Sequence, residues 1–186
     1  LLSDLRSLVT SFIESLESQN KSRHTIVAYK KDLEQFLGYL TSSEKTDIKE
    51  VKKEDIDGFI KKLIADNYTK KSASRKLNSI RTFFRFLKRE EIISQNPALE
   101  VAHPKYTQSP PRILSKLEYR ALRDYAKTDR RTYAMVEILL QTGLRIGELA
   151  EIRLQDIGTD GLKIGKRNIP LNKAVRKAVD DYLKVR

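Results

Sequence analysis

The sequence predicts a mainly α-helical chain in two parts, with one small antiparallel β-hairpin in the second part. Apolar residues recur every three or four positions through most of the chain, which is the spacing of amphipathic helices. A proline-containing stretch at 104–111 interrupts this pattern and separates residues 1–103 from residues 112–186. Two short β-favouring runs flank Gly165–Lys166–Arg167, which predicts the hairpin.

The first part of the chain is predicted to contain four helices and a short tail. Their segments are Leu5 to Leu16, residues 25–40, Val51 to Leu63, about Ser72 to Lys88, and a tail at 92–99. Ser22 and Thr25 are both candidates for the N-cap of the second helix, because a side-chain oxygen there can accept a free backbone N–H. The core-facing stripe of the fourth helix consists of Ala73, Leu77, Ile80, Phe84 and Leu87.

The second part follows a linker at 104–111, which contains Pro104, Pro110 and Pro111. Proline removes a backbone donor and biases the preceding residue toward extended structure, so the linker is expected to be non-helical. Helices are predicted at 115–127, 131–142 and 172–185, and a further one starts at 145–150. Gly143 is expected to end the second of these helices in the left-handed conformation.

The composition favours a partner that is a polyanion. The 186 residues contain 37 Lys and Arg against 25 Asp and Glu, a net charge of +12. Such a charge favours nucleic acid, although an acidic membrane surface or simple solubility are alternatives. There is no cysteine, and the two histidines are far apart in sequence, so no metal site is predicted. No apolar run has the length of a membrane helix and no signal peptide is evident, so a cytoplasmic protein is expected.

The positive charge is concentrated in the fourth helix. Residues 68–89 contain eight basic residues and no acidic one: Lys70, Lys71, Arg75, Lys76, Arg81, Arg85, Lys88 and Arg89. Surface helices usually mix the two signs in supporting pairs, so this helix is predicted to bind phosphates, with Ser72 at its start as a further phosphate ligand. A solvated basic face is the alternative. Phosphate contacts would hold DNA without reading its sequence.

Two further segments carry residues suited to catalysis. In QTGLRIGELA, Arg145 follows the Gly143 turn and Glu148 comes three residues later. A guanidinium there can bind an anion, and Glu148 can fix its orientation; an ordinary surface Arg–Glu pair is the alternative. Lys166 lies at the tip of the hairpin, where it can donate a proton to a leaving oxygen or simply be solvated.

Taken together, five segments of the chain resemble the tyrosine recombinase (phage integrase) family, and most closely its Xer-type and integrative-element members. The segments are TGLRIGEL, IGK with NIPL, SRHTIVAYKKDLEQFLGYL, KKSASRKLNSIRTFFRFL and the NPA turn. The resemblance implies a helical SAM-like core-binding domain at 1–103, a linker at 104–111, and a partial α+β catalytic domain with the hairpin at 112–186.

The resemblance also implies a function. Members cut and rejoin duplex DNA through a tyrosine that forms a 3′-phosphotyrosyl link, and they need no metal or nucleotide cofactor. Arg145 matches a catalytic arginine, Lys166 the lysine that protonates the departing 5′ oxygen, and Glu148 a supporting acid. The implied DNA-binding residues are His24, Thr25, Lys70, Lys71, Ser72, Arg75, Arg81, Arg85 and Lys88.

Part of the family's machinery is not in the sequence. Neither His24 nor His103 opens a His-x-x-Arg motif, and Tyr182 is the only tyrosine after Arg145. We therefore expect a truncated chain that binds DNA without cutting it, monomeric off DNA, whereas the full-length protein is tetrameric on DNA. A non-catalytic DNA-binding regulator with a shortened fold is the alternative. An RNA-binding helical protein is a third possibility, which no aromatic stacking platform supports.

Overall fold

The computed structural model describes residues 2–107 and 110–186, and it divides the chain into two compact units, Leu1–Ser109 and Pro110–Arg186. Residues 108 and 109 of the predicted linker lie outside the described residues. The mainly α-helical fold with a single small hairpin is confirmed for the described residues. No helix among them is long and apolar enough to cross a membrane.

The described residues of unit 1 form four α-helices and two 3₁₀ turns. The helices are α1 (Leu2–Ser18), α2 (Arg23–Ser42), α3 (Lys53–Ala65) and α4 (Lys70–Arg89), and the 3₁₀ turns are Ile48–Glu50 and Pro97–Leu99. The α4 helix packs against α1, α2 and α3. Its predicted core stripe is buried, and Phe83 and Phe86 of the same helix are buried as well.

Aromatic side chains form much of the unit 1 core. Phe12 of α1 contacts Phe83 and Phe86 of α4, with ring centroids 5.5 and 5.4 Å apart. Phe36 of α2 contacts Phe59 of α3 at 5.2 Å. Because edge-to-face pairs add to the burial of large rings, these contacts stabilise the packing of α1 on α4 and of α2 on α3.

The starts of α2 and α4 are set by hydroxyl caps. Ser22 is the N-cap of α2, since its Oγ accepts the Thr25 N–H at 3.2 Å. The predicted start of α4 at Ser72 is wrong: Thr69 is the cap and the helix begins at Lys70. Thr69 Oγ1 accepts the Ser72 N–H at 3.1 Å, so this backbone amide already has a partner.

Unit 2 contains four α-helices, one 3₁₀ turn and a hairpin. These are α5 (Lys116–Ala126), α6 (Arg130–Thr142), α7 (Ile146–Ala150), the 3₁₀ turn Leu154–Asp156, β1 (Leu162–Ile164), β2 (Arg167–Ile169) and α8 (Lys173–Leu183). Its core packs α6 against α8 and is closed by Leu144 and Leu162. The hairpin pairs Ile164 with Arg167 across a two-residue turn, Gly165 and Lys166.

Candidate functional site

The basic residues of α4 do not all face solvent. Lys70, Lys71, Arg75, Arg85, Lys88 and Arg89 are exposed. Lys76 is buried and Arg81 is partly buried. The helix therefore presents a basic surface of six exposed side chains, and Lys76 and Arg81 are its two less exposed cations.

Arg75 and Lys76 both bind the buried carboxylate of Asp32 on α2. Asp32 Oδ1 accepts Arg75 Nη2 at 2.8 Å and Lys76 Nζ at 2.9 Å, and Oδ2 accepts Ser79 Oγ at 2.7 Å. Burial acts to raise the pKa of Asp32, but these hydrogen bonds outweigh it and the pKa is lowered. The carboxylate is thus ionised and links α2 to α4, although Arg75 keeps 53% of its side chain exposed.

Arg81 holds residues 98–103 against α4. Its guanidinium donates to the carbonyl oxygens of Ala98 at 3.0 Å and Val101 at 2.6 Å, and to His103 Nε2 at 2.6 Å. Ser74 Oγ lies 2.8 Å from His103 Nδ1. Burial, and then the charge of Arg81, lower the pKa of His103, as expected for a neutral ring that accepts from an arginine. Phosphate binding by Arg81 stays a prediction, and its guanidinium already has three partners within unit 1.

The other predicted DNA ligands of unit 1 lie at the starts of α2 and α4. His24 is exposed in the first turn of α2, and Thr25 is partly exposed, with its Oγ1 2.8 Å from Ser22 Oγ. Ser72 is partly exposed and its Oγ accepts from Thr69 Oγ1 at 2.9 Å. DNA contact by these residues stays a prediction.

In unit 2, Arg145 follows a tight turn between α6 and α7. Gly143 adopts the predicted left-handed conformation, with φ of 68°, and Leu144 is buried beneath it. Arg145 is the N-cap of α7, and its backbone N–H donates to Glu148 Oε2 at 2.9 Å. Its side chain is 84% exposed. Because α7 has only five residues, the guanidinium and not a helix dipole is the group here that can bind an anion.

Glu148 connects Arg145 to the hairpin through a residue that the sequence analysis missed. Arg167 Nη2 donates to Glu148 Oε1, whereas the Arg145 Nη1 atom lies 3.8 Å from the same oxygen. The hydrogen bond from the Arg145 backbone, followed by the bond and charge of Arg167, outweighs burial and lowers the pKa of Glu148. The two residues are 19 positions apart, so helical spacing offered no signal for the pair.

Lys166 is exposed in the hairpin turn, directly before Arg167. Its side chain has no ion pair or hydrogen bond to any residue that the structure describes. It borders a groove formed by the hairpin and residues 155–161. Two solvent-facing cations, Arg145 and Lys166, are therefore connected by the Glu148–Arg167 ion pair.

Each of the two units matches a protein-family model. Residues 9–91 match the family model "Phage integrase, N-terminal SAM-like domain", and residues 112–186 match "Phage integrase family". The chain is 31% identical over 192 residues to the tyrosine recombinase XerD of Listeria innocua, and the matched region covers 96% of this chain and 65% of that protein. It is 30% identical to the tyrosine recombinase XerC of Oceanobacillus iheyensis, covering 98% of this chain and 64% of that one. It thus spans slightly less than two thirds of these relatives.

Solved structures share the fold. A lambda integrase dimer bound to a COC′ core site matches with a TM-score of 0.77 at 19% identity, over 97% of this chain and 69% of that one. A lambda integrase tetramer bound to a Holliday junction matches with a TM-score of 0.77 at 21% identity, over 97% and 56% of the two chains. The Tn1549 transposon integrase in complex with circular intermediate DNA gives a TM-score of 0.71 at 19% identity, over 98% and 65%.

Proposed function

The chain belongs to the tyrosine recombinase (phage integrase) family, and from that premise we propose that it binds duplex DNA and directs Arg145 and Lys166 at the phosphate where a strand is cut and rejoined. The ion pair of Glu148 with Arg167 is the observation that carries this proposal. It connects the element that bears one cation to the hairpin that bears the other.

Binding to duplex DNA is supported by the exposed cations of α4. Lys70, Lys71, Arg85 and Lys88 make no ion pair with any described residue, so binding would release their counterions instead of breaking internal contacts. Arg75, whose side chain is 53% exposed, belongs to the same proposed DNA-binding surface. His24 and Thr25, at the start of α2, extend the proposed surface. Contacts of this kind position the duplex without specifying its sequence.

The proposed chemistry is transfer of a phosphoryl group between hydroxyl oxygens. A tyrosine oxygen attacks phosphorus, the bond to the 5′ oxygen breaks, and a 3′-phosphotyrosyl link forms. Arg145 stabilises the charge that develops on the phosphate, and Lys166 gives a proton to the departing 5′ oxygen. Rejoining reverses these steps, and because the phosphotyrosyl link keeps the energy of the broken phosphodiester bond, no nucleotide needs to be consumed.

The attacking tyrosine is not identified among the 186 residues. Tyr182 lies on α8 and packs partly buried against the core of unit 2, which does not suit a nucleophile. We propose that these residues bind DNA as a monomer and do not cut it, and that cutting needs the family's His-x-x-Arg motif and tyrosine. On DNA, a protein that contains them would act as a tetramer.

A nicked duplex that traps covalent intermediates tests the reaction in the native protein. We expect an adduct that survives denaturation and is lost on protease digestion, and the Arg145→Gln change should lower its rate of formation about 100-fold or more. The 186 residues alone should bind the same duplex without an adduct. DNA binding by the native protein without any adduct would point to a regulator. Preference for an RNA duplex over DNA would reject the proposal.

A further inference from the structure

Arg145 and Arg167 compete for one oxygen of Glu148. Glu148 Oε2 accepts the Arg145 backbone N–H at 2.9 Å, which leaves Oε1 for a side chain. Arg167 Nη2 forms the hydrogen bond to Oε1, and Arg145 Nη1 stays 3.8 Å away. An arginine and a glutamate three residues apart on a helical turn would ordinarily pair with each other.

The hairpin register accounts for the reach of Arg167. Ile164 pairs with Arg167 and Leu162 with Ile169, and directly paired residues lie on the same face of a sheet. Leu162 is buried in the unit 2 core, so Arg167 lies on the core-facing side of the hairpin. Lys163 and Asn168 form the opposite pair, and both are exposed. Arg167 is thus the hairpin cation directed toward α7.

The local charge depends on which arginine Glu148 binds. With Oε1 bound by Arg167, the Arg145 side chain remains 84% exposed and keeps its donors for an external anion. If Arg167 were absent, Glu148 Oε1 would be open to a hydrogen bond from Arg145 Nη1, which lies 3.8 Å away. A charge-assisted pair between them would then occupy the donors that a phosphate requires.

We propose that Arg167 is a positioning residue: by binding Oε1 of Glu148 it holds the hairpin against α7 and limits Arg145 to a longer ion pair with that oxygen, so that the Arg145 N–H donors stay available to a DNA phosphate. The availability of the Arg145 N–H donors is a property of the protein without DNA. The binding of a phosphate by those donors rests on the proposed function. The two parts are therefore tested by separate measurements.

The first measurement is the rate of rotation about the Nε–Cζ bond of Arg145, by ¹⁵N NMR on the 186-residue chain without DNA. We expect fast rotation in the unaltered chain, slower rotation in Arg167→Gln, and recovery of fast rotation in Arg167→Lys, which can still bind Glu148. The matched control is Lys163→Gln, which removes one charge from the other face of the same hairpin. Unchanged rotation in a folded Arg167→Gln variant would overturn the proposal.

The second measurement is a double-mutant cycle on duplex binding. Arg145→Gln should weaken binding about tenfold in the unaltered chain and by less than about twofold in the Arg167→Gln background, because Arg145 is then already occupied. Equal, additive losses would mean that Arg167 contacts DNA itself, and would overturn the positioning role. If Arg145→Gln has no effect in either background while the NMR result holds, the proposed phosphate contact is wrong and the availability of the Arg145 N–H donors stands.

Discussion

Asp32 is a buried carboxylate in unit 1, 1% exposed, with three side-chain donors from α4 around it. Lys76, one of these donors, keeps only 7% of its side chain exposed. A buried charge is tolerated because its partner is present, and removing one partner leaves the other unpaired. Replacing Asp32 would therefore leave the buried Lys76 without its anionic partner.

Asp32→Asn should lower the free energy of unfolding of unit 1 by about 3 to 5 kcal/mol, the usual effect of breaking a buried ion pair. Asp66→Asn is the matched control, because Asp66 pairs with Lys62 where both side chains are about half exposed. Such a pair contributes less than about 1 kcal/mol. Urea unfolding of both variants measures the difference, and equal small losses would mean that Asp32 does not stabilise the fold.

The lowered pKa of Asp32 gives this prediction a dependence on pH. Its carboxylate is ionised in the folded protein at pH values where the unfolded chain is already protonated. Its contribution to stability is therefore complete above the ordinary value near 3.8, and is lost as the pH falls through the lower pKa of the folded protein. The difference in stability between the unaltered chain and Asp32→Asn should shrink over that acid range.

At the scale of elements, helical spacing predicted the apolar stripe of α4, but neither the burial of Phe83 and Phe86 nor the contacts of its cations. The stripe from Ala73 to Leu87 follows from periodicity alone. Arg75 and Arg85 are the same residue type on one helix, yet Arg75 meets a carboxylate 43 positions away in the sequence. Such a partner is set by the packing of α2 on α4. The start of the helix was misplaced since Lys70 and Lys71 lie outside the apolar stripe.

The same limit applies to the candidate catalytic site. The turn at Gly143, the position of Arg145 after it and the hairpin around Lys166 could all be predicted from local residue types. The pairing of Glu148 with Arg167 could not, because it depends on how the hairpin folds back on α7. The pairing of Glu148 with the Arg145 side chain, which the sequence did suggest, is present as a longer ion pair of 3.8 Å.

The basic surface of α4 predicts a specific salt dependence. Arg85→Gln with Lys88→Gln should lower the slope of log affinity against log salt by about two, one for each lost phosphate contact. These residues are preferable to Arg81, whose replacement would also release Ala98, Val101 and His103. Lys49→Gln with Lys61→Gln is the control of equal charge in unit 1, and both residues are exposed. An equal fall in slope for both pairs would assign binding to overall charge and not to α4.

For the whole molecule, the division between residues 109 and 110 lies within the stretch proposed as a linker, 104–111. The described residues on either side, 102–107 and 110–115, form neither helix nor strand. Each unit has its own hydrophobic core, and a core of its own is what allows a domain to fold independently. A linked pair of such domains binds a single duplex more tightly than either domain, because the second contact is intramolecular.

Limited trypsin digestion tests this organisation. Lys105 and Arg112 are exposed in the non-helical stretches, so they should be cut first and give fragments 1–105 and 113–186. We expect fragment 1–105 to unfold cooperatively and to keep salt-dependent binding to duplex DNA through α4, with an affinity about 100-fold below that of the uncut chain. First cuts within α4 or α6, or loss of cooperative unfolding in both fragments, would mean that the two units form one inseparable domain. Equal affinity of fragment 1–105 and the uncut chain would confine binding to unit 1, leaving Arg145 and Lys166 without a phosphate to contact.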